Sequence, residues 1–127
     1  MSTATATTTT HRVALSFEDG VTSIHEILQR QPRCDAIFYG SDVLAFGALM
    51  EAQSMNITVP GELAIAGYSD LDFSRRLRPS LTTINISAYD CGLKAGEMLL
   101  ARLEHRALDR LVANLPVRLQ VRQSTHG

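Results

Sequence analysis

Two short apolar runs, Ala36-Ile37-Phe38-Tyr39 and Leu63 to Ala66, each lead directly into a small polar turn: Gly40-Ser41-Asp42 after the first, Gly67-Tyr68-Ser69-Asp70 after the second. Between them Leu44, Phe46, Gly47, Ala48, Leu49 and Met50 fall at helical spacings, which predicts a helix from about Val43 to Met55. Asn56 is a plausible stop, and Pro60-Gly61 forbids continuation. Strand, helix and strand in roughly thirty residues make a right-handed crossover between parallel strands the expected unit. In an open sheet of that kind, turns at the carboxyl ends of the strands face one crevice, where short polar side chains meet a small molecule. The expected fold class is therefore α/β, a mainly parallel sheet of about four or five strands flanked by helices. Ala36 to Tyr39 lacks alternation, the pattern of a strand covered on both faces, although so short a run also suits buried helix.

The rest of the chain extends this unit. Val13 to Phe17 reads as an initial strand, and Val21, Ile24, Ile27 and Leu28 form an amphipathic stripe ending before Pro32. Thr82 to Ile86 reads as a β-branched strand. Ser87 and Asp90 stand at capping-box spacing before a helix from about Tyr89 to His105. On that helix Leu93, Met98, Leu99 and Leu103 offer an apolar surface, with Gly92, Ala95 and Gly96 small enough for close backbone approach. Val117, Leu119 and Val121 alternate with Arg118, Gln120 and Arg122, as in a half-covered strand. The leader, residues 1–12, is rich in Ser, Thr and Ala without apolar period and reads as disordered; residues 13–127 form the domain.

Composition narrows the class. A hydrophobic content of 45% with 20% charged residues suits a globular domain, and no apolar run approaches membrane-spanning length. The leader has neither the basic start nor the apolar centre of a secretion signal, so a cytoplasmic protein is expected. Cys34 and Cys91 suggest free thiols rather than a disulfide framework. A formal net charge of −1 gives no electrostatic footprint for nucleic acid.

Several segments in order resemble one family. Asp35-Ala36-Ile37-Phe38, Ser41-Asp42 followed by Leu44-Ala45-Phe46-Gly47-Ala48-Leu49, Val59-Pro60, Ile65-Ala66-Gly67-Tyr68, and Pro79 with Leu81-Thr82-Thr83-Ile84 are similar to the effector-binding core of LacI-family bacterial transcription regulators. Weaker likeness covers Phe17-Glu18-Asp19-Gly20, the segment from Gly92 to Leu103, and the tail from Leu115 to Thr125. The resemblance implies a type I periplasmic-binding-protein-like fold, of which this chain is a truncated part: it begins inside the C-terminal sensor subdomain and carries no helix-turn-helix candidate upstream.

Five residues are expected to face a ligand. Asp42, at a strand-to-helix turn, can accept paired bonds from sugar hydroxyls; helix capping is its alternative role, and Ser41 has the same two readings. Phe17 stands where the family often has an aromatic residue that stacks on the ligand, with an ordinary core phenylalanine as the alternative. Ser69 departs from the family, because many sugar-responsive members resemble Gly-Tyr-Asp-Asp here and the first Asp commonly grips the effector. With Gly67-Tyr68-Ser69-Asp70 the charge remains only at Asp70, and a neutral hydroxyl repels an anionic ligand less. The expected effector is a sugar, sugar acid or sugar phosphate, with an acidic sugar such as gluconate or a phosphorylated sugar as the sharper hypothesis; the alternative is that Asp70 turns outward and Ser69 only ends a strand. Arg75, Arg76 and Arg78 form a basic cluster better read as a solvated loop, while Leu71, Phe73 and Leu77 are apolar enough for an interface, as the family resemblance implies for this loop and the outer face of the preceding helix.

Enzymatic chemistry finds little support. Gly67-Tyr68-Ser69-Asp70-Leu71 begins like a nucleophile elbow but has Leu where the second glycine is required, the four histidines lack metal-ligand spacing, and no phosphate-cradling loop is present. No cofactor or metal is expected. The sequence thus predicts the effector-sensing and dimerising part of a LacI-family regulator, with a small-molecule effector, no membrane, and no direct DNA contact from this segment. A homo-oligomer is expected, with exchange of the Tyr89 to His105 helix as one route. Two alternatives are a sugar-binding component of a transport system, distinguished by a signal sequence in a longer parent gene, and a stand-alone module that pairs with full-length regulators, distinguished by co-purification with one.

Overall fold

A computed structural model describes residues 14–126; the leader and Val13 lie outside them. The order of elements is α1 (Phe17–Arg30), β1 (Ala36–Phe38), α2 (Asp42–Ser54), β2 (Ala64–Tyr68), a 3₁₀ turn (Ser74–Arg76), β3 (Thr82–Asn85), α3 (Ala88–Leu103) and β4 (Arg118–Gln120). The four strands form one sheet in sequence order, β1, β2 and β3 parallel and β4 antiparallel at the edge. This is the α/β, mainly parallel architecture expected, with the helix between the two polar turns in place.

The first element differs from the expectation. Residues 14–16 form no strand and Phe17 opens α1. The local chemistry explains why: Ser16, in extended conformation, caps the helix by accepting the Asp19 amide at 3.1 Å, and Glu18 and Asp19 place negative charge in the first turn. The expected stripe then buries Ile24, with Ile27 and Leu28 packed at the edge of the core.

Helix α2 carries the centre of the core. Besides Asp42, its buried residues, Leu44, Ala45, Gly47, Ala48, Leu49 and Ala52, occupy more than one face, because α1 packs on one flank and β2 on another. Small residues let the helices touch. A β-carbon on Gly20 would fall inside the carbonyl of Leu44, and one on Gly47 inside the carbonyl of Phe17, so the two backbones cross in direct contact. Asn56, at φ 57°, ends α2 in the left-handed conformation that asparagine tolerates. Ile37, Ile65, Leu63 and Leu81 complete the core, each buried aliphatic side chain contributing about 1.5–3 kcal/mol.

Only one face of β1 is covered among the described residues, in contrast to the two expected. Ile37 points into the core, whereas Phe38 is 59% exposed. β4 is likewise open, with Val117, Leu119 and Val121 all exposed. Beyond it the tail turns back and wedges into the sheet: buried Ser124 accepts the Thr82 amide at 2.8 Å, donates to the Ile65 carbonyl at 2.6 Å and accepts the Ile65 amide on its own carbonyl at 3.1 Å. One serine therefore closes hydrogen bonds of both β2 and the start of β3.

Tyr39 joins β1 to α1 by its hydroxyl, 3.3 Å from Ser23 Oγ. Burial pushes its pKa up to about 12, partly offset by the Ser23 hydrogen bond, with a smaller upward push from Cys34. The folded state thus holds this proton more tightly than the unfolded chain, so the associated stability is complete below pH 10 and is lost as pH rises from about 10 to 12. The loss is of the order of 2 kcal/mol. Urea unfolding at pH 9 and pH 11.5 should show it in the parent and not in Tyr39→Phe; parallel pH dependence in the two would refute the assignment.

Among the described residues, no helix is long and apolar enough to cross a membrane. Cys34 and Cys91 are free thiols.

Candidate functional site

Residues 36, 37 and 38 pair in parallel with 64, 65 and 66, so the turns that follow β1 and β2 leave the same end of the sheet. Ser41, Asp42, Ser69 and Asp70 meet there. Ser41 is the cap of α2: its Oγ accepts the Val43 amide at 3.1 Å, in a nearly buried position.

Asp42 is turned into the protein. It is fully buried, and its Oδ2 accepts the Leu71 amide at 2.8 Å and the Ser74 hydroxyl at 2.6 Å while Oδ1 accepts the Thr83 hydroxyl at 2.5 Å. Three donors from two separate segments satisfy a carboxylate that burial alone would penalise heavily. Gly67 makes the approach possible, since a β-carbon there would overlap Asp42 Oδ1.

Asp70 is also engaged. Its carboxylate accepts Arg122 Nη2 at 2.8 Å and Asn85 Nδ2 at 2.8 Å, and the pair with Arg122 is largely shielded, with side chains 14% and 18% exposed. Its amide reaches Thr83 Oγ1 at 3.3 Å, so Thr83 connects the two aspartates. Ser69 and Asp70 both have positive φ, 114° and 53°, an uncommon conformation for residues other than glycine that persists where the surroundings fix it. The Ser69 amide donates to the Ile84 carbonyl at 2.9 Å. Its half-buried hydroxyl has no hydrogen-bond partner among the described residues.

Phe17 lies at the start of α1, not at a strand end. Its ring meets Phe46 edge-on at 5.0 Å, and Phe46 meets Phe73 at 5.3 Å, so an aromatic ladder runs from α1 over α2 to the loop after Asp70. The same loop carries Ser74 to Asp42. The basic cluster is solvent-facing, with Arg75, Arg76 and Arg78 exposed and Arg75 3.9 Å from Asp72. Sequence reasoning missed Ser74, Thr83, Asn85 and Arg122, which position the turns. Their signal was weak: each is an ordinary polar residue whose aspartate carboxylate partner lies 15 or more residues away.

The helix after β3 also differs from expectation. Ser87 precedes α3 at φ 48° and makes no side-chain cap, so the Ser87 and Asp90 capping box does not form; Asn85 Oδ1 accepts the Ser87 amide at 2.8 Å instead. α3 is almost wholly exposed along its length, only Ala101 being buried.

A family model described as "Periplasmic binding protein-like domain" matches residues 2–125. The chain is 36% identical over 101 residues to the ribose operon repressor of Halalkalibacterium halodurans, covering 80% of this chain and 30% of that protein. Among solved structures it is similar to transcription regulator GntR from Chromobacterium violaceum, with TM-score 0.82 and 37% identity over 88% of this chain and 41% of that one. It is also similar to transcriptional regulator CelR in complex with cellobiose, with TM-score 0.80 and 28% identity over 86% of this chain and 33% of that one. The chain spans about a third of the length of the curated relatives it matches. With two turns opening on one rim of a parallel sheet and relatives that are transcription regulators, the chain belongs to the periplasmic binding protein-like domain family, in the form found in LacI-family regulators.

Proposed function

We propose that this domain forms one side of an effector site in a cytoplasmic LacI-type transcription regulator, a non-enzymatic sensor whose ligand is a sugar acid, such as gluconate, or a sugar phosphate. The observation that carries this reading is the chemistry left at the rim. Asp42 and Asp70 both have their carboxylates engaged by the protein, Asp70 beside a guanidinium, while the Ser69 hydroxyl has no partner among the described residues. A hydroxyl both donates and accepts, so it serves a ligand carboxylate or phosphate where a free aspartate would repel it. Phe17 supplies an apolar ring for a pyranose or an extended polyol face, with Ser41 beside the turn and Asp42 and Asp70 holding it from within. The relative bound to cellobiose supports a carbohydrate as the ligand class.

A regulator of this type works by shifting a two-state equilibrium, and the ligand acts through its difference in affinity for the two states. Titrating this chain with gluconate and with glucose, followed by amide shifts of Ser69 and Asp70 and by the Phe17 ring resonances, tests the assignment. Saturable shifts in the millimolar range with gluconate, larger than with glucose, are expected. Saturation by glucose alone, or no response at the rim to either, would reject it.

Self-association belongs to the same reading, with a second copy as the partner. Tyr89, Leu93, Gly96, Leu100 and Leu103 recur at alternating steps of four and three along α3, the spacing of a coiled-coil seam, and all are exposed. Sedimentation should find a dimer or larger species that Leu93→Glu with Leu100→Glu converts to a monomer. A compact monomer in the parent at the same concentration would contradict it.

A further inference from the structure

α3 is joined to the sheet by two passages. One is short, Asn85 at the end of β3 followed by Ile86 and Ser87; the other returns from α3 through residues 104–117 to β4. Apart from these, α3 stands exposed, so its direction depends on what fixes the chain at the foot of each passage.

One carboxylate holds the short passage and anchors it to the sheet: Asn85 is at the foot of that passage, whereas Arg122 follows β4, whose other end, Arg118, receives the return from α3. Asp70 Oδ2 accepts Asn85 Nδ2 at 2.8 Å and Oδ1 accepts Arg122 Nη2 at 2.8 Å. Neither partner is loose. Arg122 is tied to the beginning of β3, its amide to Thr82 Oγ1 at 2.8 Å and its Nη1 to the Leu81 carbonyl at 2.9 Å. Asn85 is double-ended: the amide group that donates to Asp70 leaves Oδ1 to accept the Ser87 amide at 2.8 Å, and only this orientation of the carboxamide satisfies both neighbours. Ser87 lacks a side-chain cap and sits in the left-handed region, so the Asn85 bond is the contact that sets the turn into α3.

We infer that Asp70 is a positioning residue, a latch that, anchored on Arg122, clamps the short passage into α3 against the ligand-side turn and so converts a displacement of that turn into a change in the direction of α3. Asp70 immediately follows Ser69, and both hold positive φ in a turn fixed by the Ser69 amide on the Ile84 carbonyl and the Asp70 amide on Thr83 Oγ1. A ligand pulling on Ser69 thereby acts on Asp70 with no flexible residue between them. What works the latch rests on the function proposed above; the clamp itself rests only on the geometry.

The native cysteines provide the test. Cys91 lies in the first turn of α3 and Cys34 just before β1, so spin labels on the two report the direction of α3 relative to the sheet, in samples diluted with unlabelled protein to keep the distance within one chain. Asp70→Asn is nearly isosteric and tolerates the left-handed backbone, but its amide nitrogen must face one of two donors, so one grip is lost. It should broaden the Cys34 to Cys91 distance distribution and speed exchange of the Ser87 amide by about tenfold, the factor equivalent to about 1.4 kcal/mol. Protection of the Leu49 and Ile65 amides in the core should be retained. Asn85→Ala, which removes the carboxamide and leaves the ion pair, should reproduce the Ser87 effect and decides the matter if Asp70→Asn unfolds. An unchanged distance distribution and unchanged Ser87 exchange in Asn85→Ala would overturn the latch. Because no ligand enters this experiment, its failure leaves the effector assignment standing, and a failed gluconate titration leaves the latch standing.

Discussion

Replacing Asp42 by alanine is expected to remove a large part of the stability of this domain, of the order of 3–5 kcal/mol. The side chain is fully buried, and its loss strands the Leu71 amide and the Ser74 and Thr83 hydroxyls around a cavity too small to hydrate them all. Hydrogen bonds to a charged group contribute about 1.5–3 kcal/mol each, and unsatisfied buried donors cost about 1–3 kcal/mol more. Small domains have only about 5–15 kcal/mol in total. Asp42→Asn should cost less, about 1–2 kcal/mol, because the Thr83 hydroxyl can rotate to accept from the new amide while the remaining oxygen keeps the Leu71 and Ser74 donors. Urea unfolding with unchanged m-value measures both. A midpoint for Asp42→Ala that corresponds to less than about 1 kcal/mol of destabilisation would show that the three donors find other partners.

Asp42 also marks where the sequence stops being informative. Its place at a strand-to-helix turn was legible from the apolar run before it and the helical spacing after it, because both patterns are local. Which way its carboxylate points was not, because the donors come from positions 71, 74 and 83, brought alongside only when β2 and β3 pair. Ser41 shows the opposite case. Its capping bond closes within two residues and needed no tertiary information.

The misread segments have the same cause. Val13 to Phe17 has strand-forming residues, yet from Ser16 onward a local cap with two acidic residues favours helix. Ser87 and Asp90 have the spacing of a capping box, but Asn85 takes the Ser87 amide and the backbone enters the left-handed region, where the box cannot close. The apolar character of β1 and β4 was correctly read, whereas what covers each face is a property of neighbours that a single short run does not encode: Phe38 and Leu119 remain open among the described residues. Phe17 was identified as an aromatic beside a polar turn, and its route to the site, through Phe46 to Phe73, depends on how closely α1 and α2 cross.

That crossing sets the second large effect. Gly47→Ala would ordinarily strengthen a helix interior by about 1 kcal/mol, since alanine is the better helix former. Here the sign reverses. The new β-carbon falls on the Phe17 carbonyl and close to the Val21 amide nitrogen, all backbone atoms with no rotamer to move, so α1 must be pushed off α2. Gly20→Ala meets the Leu44 carbonyl in the same way from the other helix. Separating the helices uncovers Ile24 and breaks the Phe17 to Phe46 contact, and a net loss of about 3 kcal/mol or more is expected for either substitution. Gly92→Ala is the internal comparison, because a β-carbon there has open space around it and the position is outside the α3 seam; it should show no loss and a gain of up to about 1 kcal/mol in α3. Thermal and urea unfolding of the three variants distinguish packing from propensity. Equal gains at Gly47 and Gly92 would mean that the helices do not cross in backbone contact, and the aromatic ladder from α1 to Phe73 would lose its support.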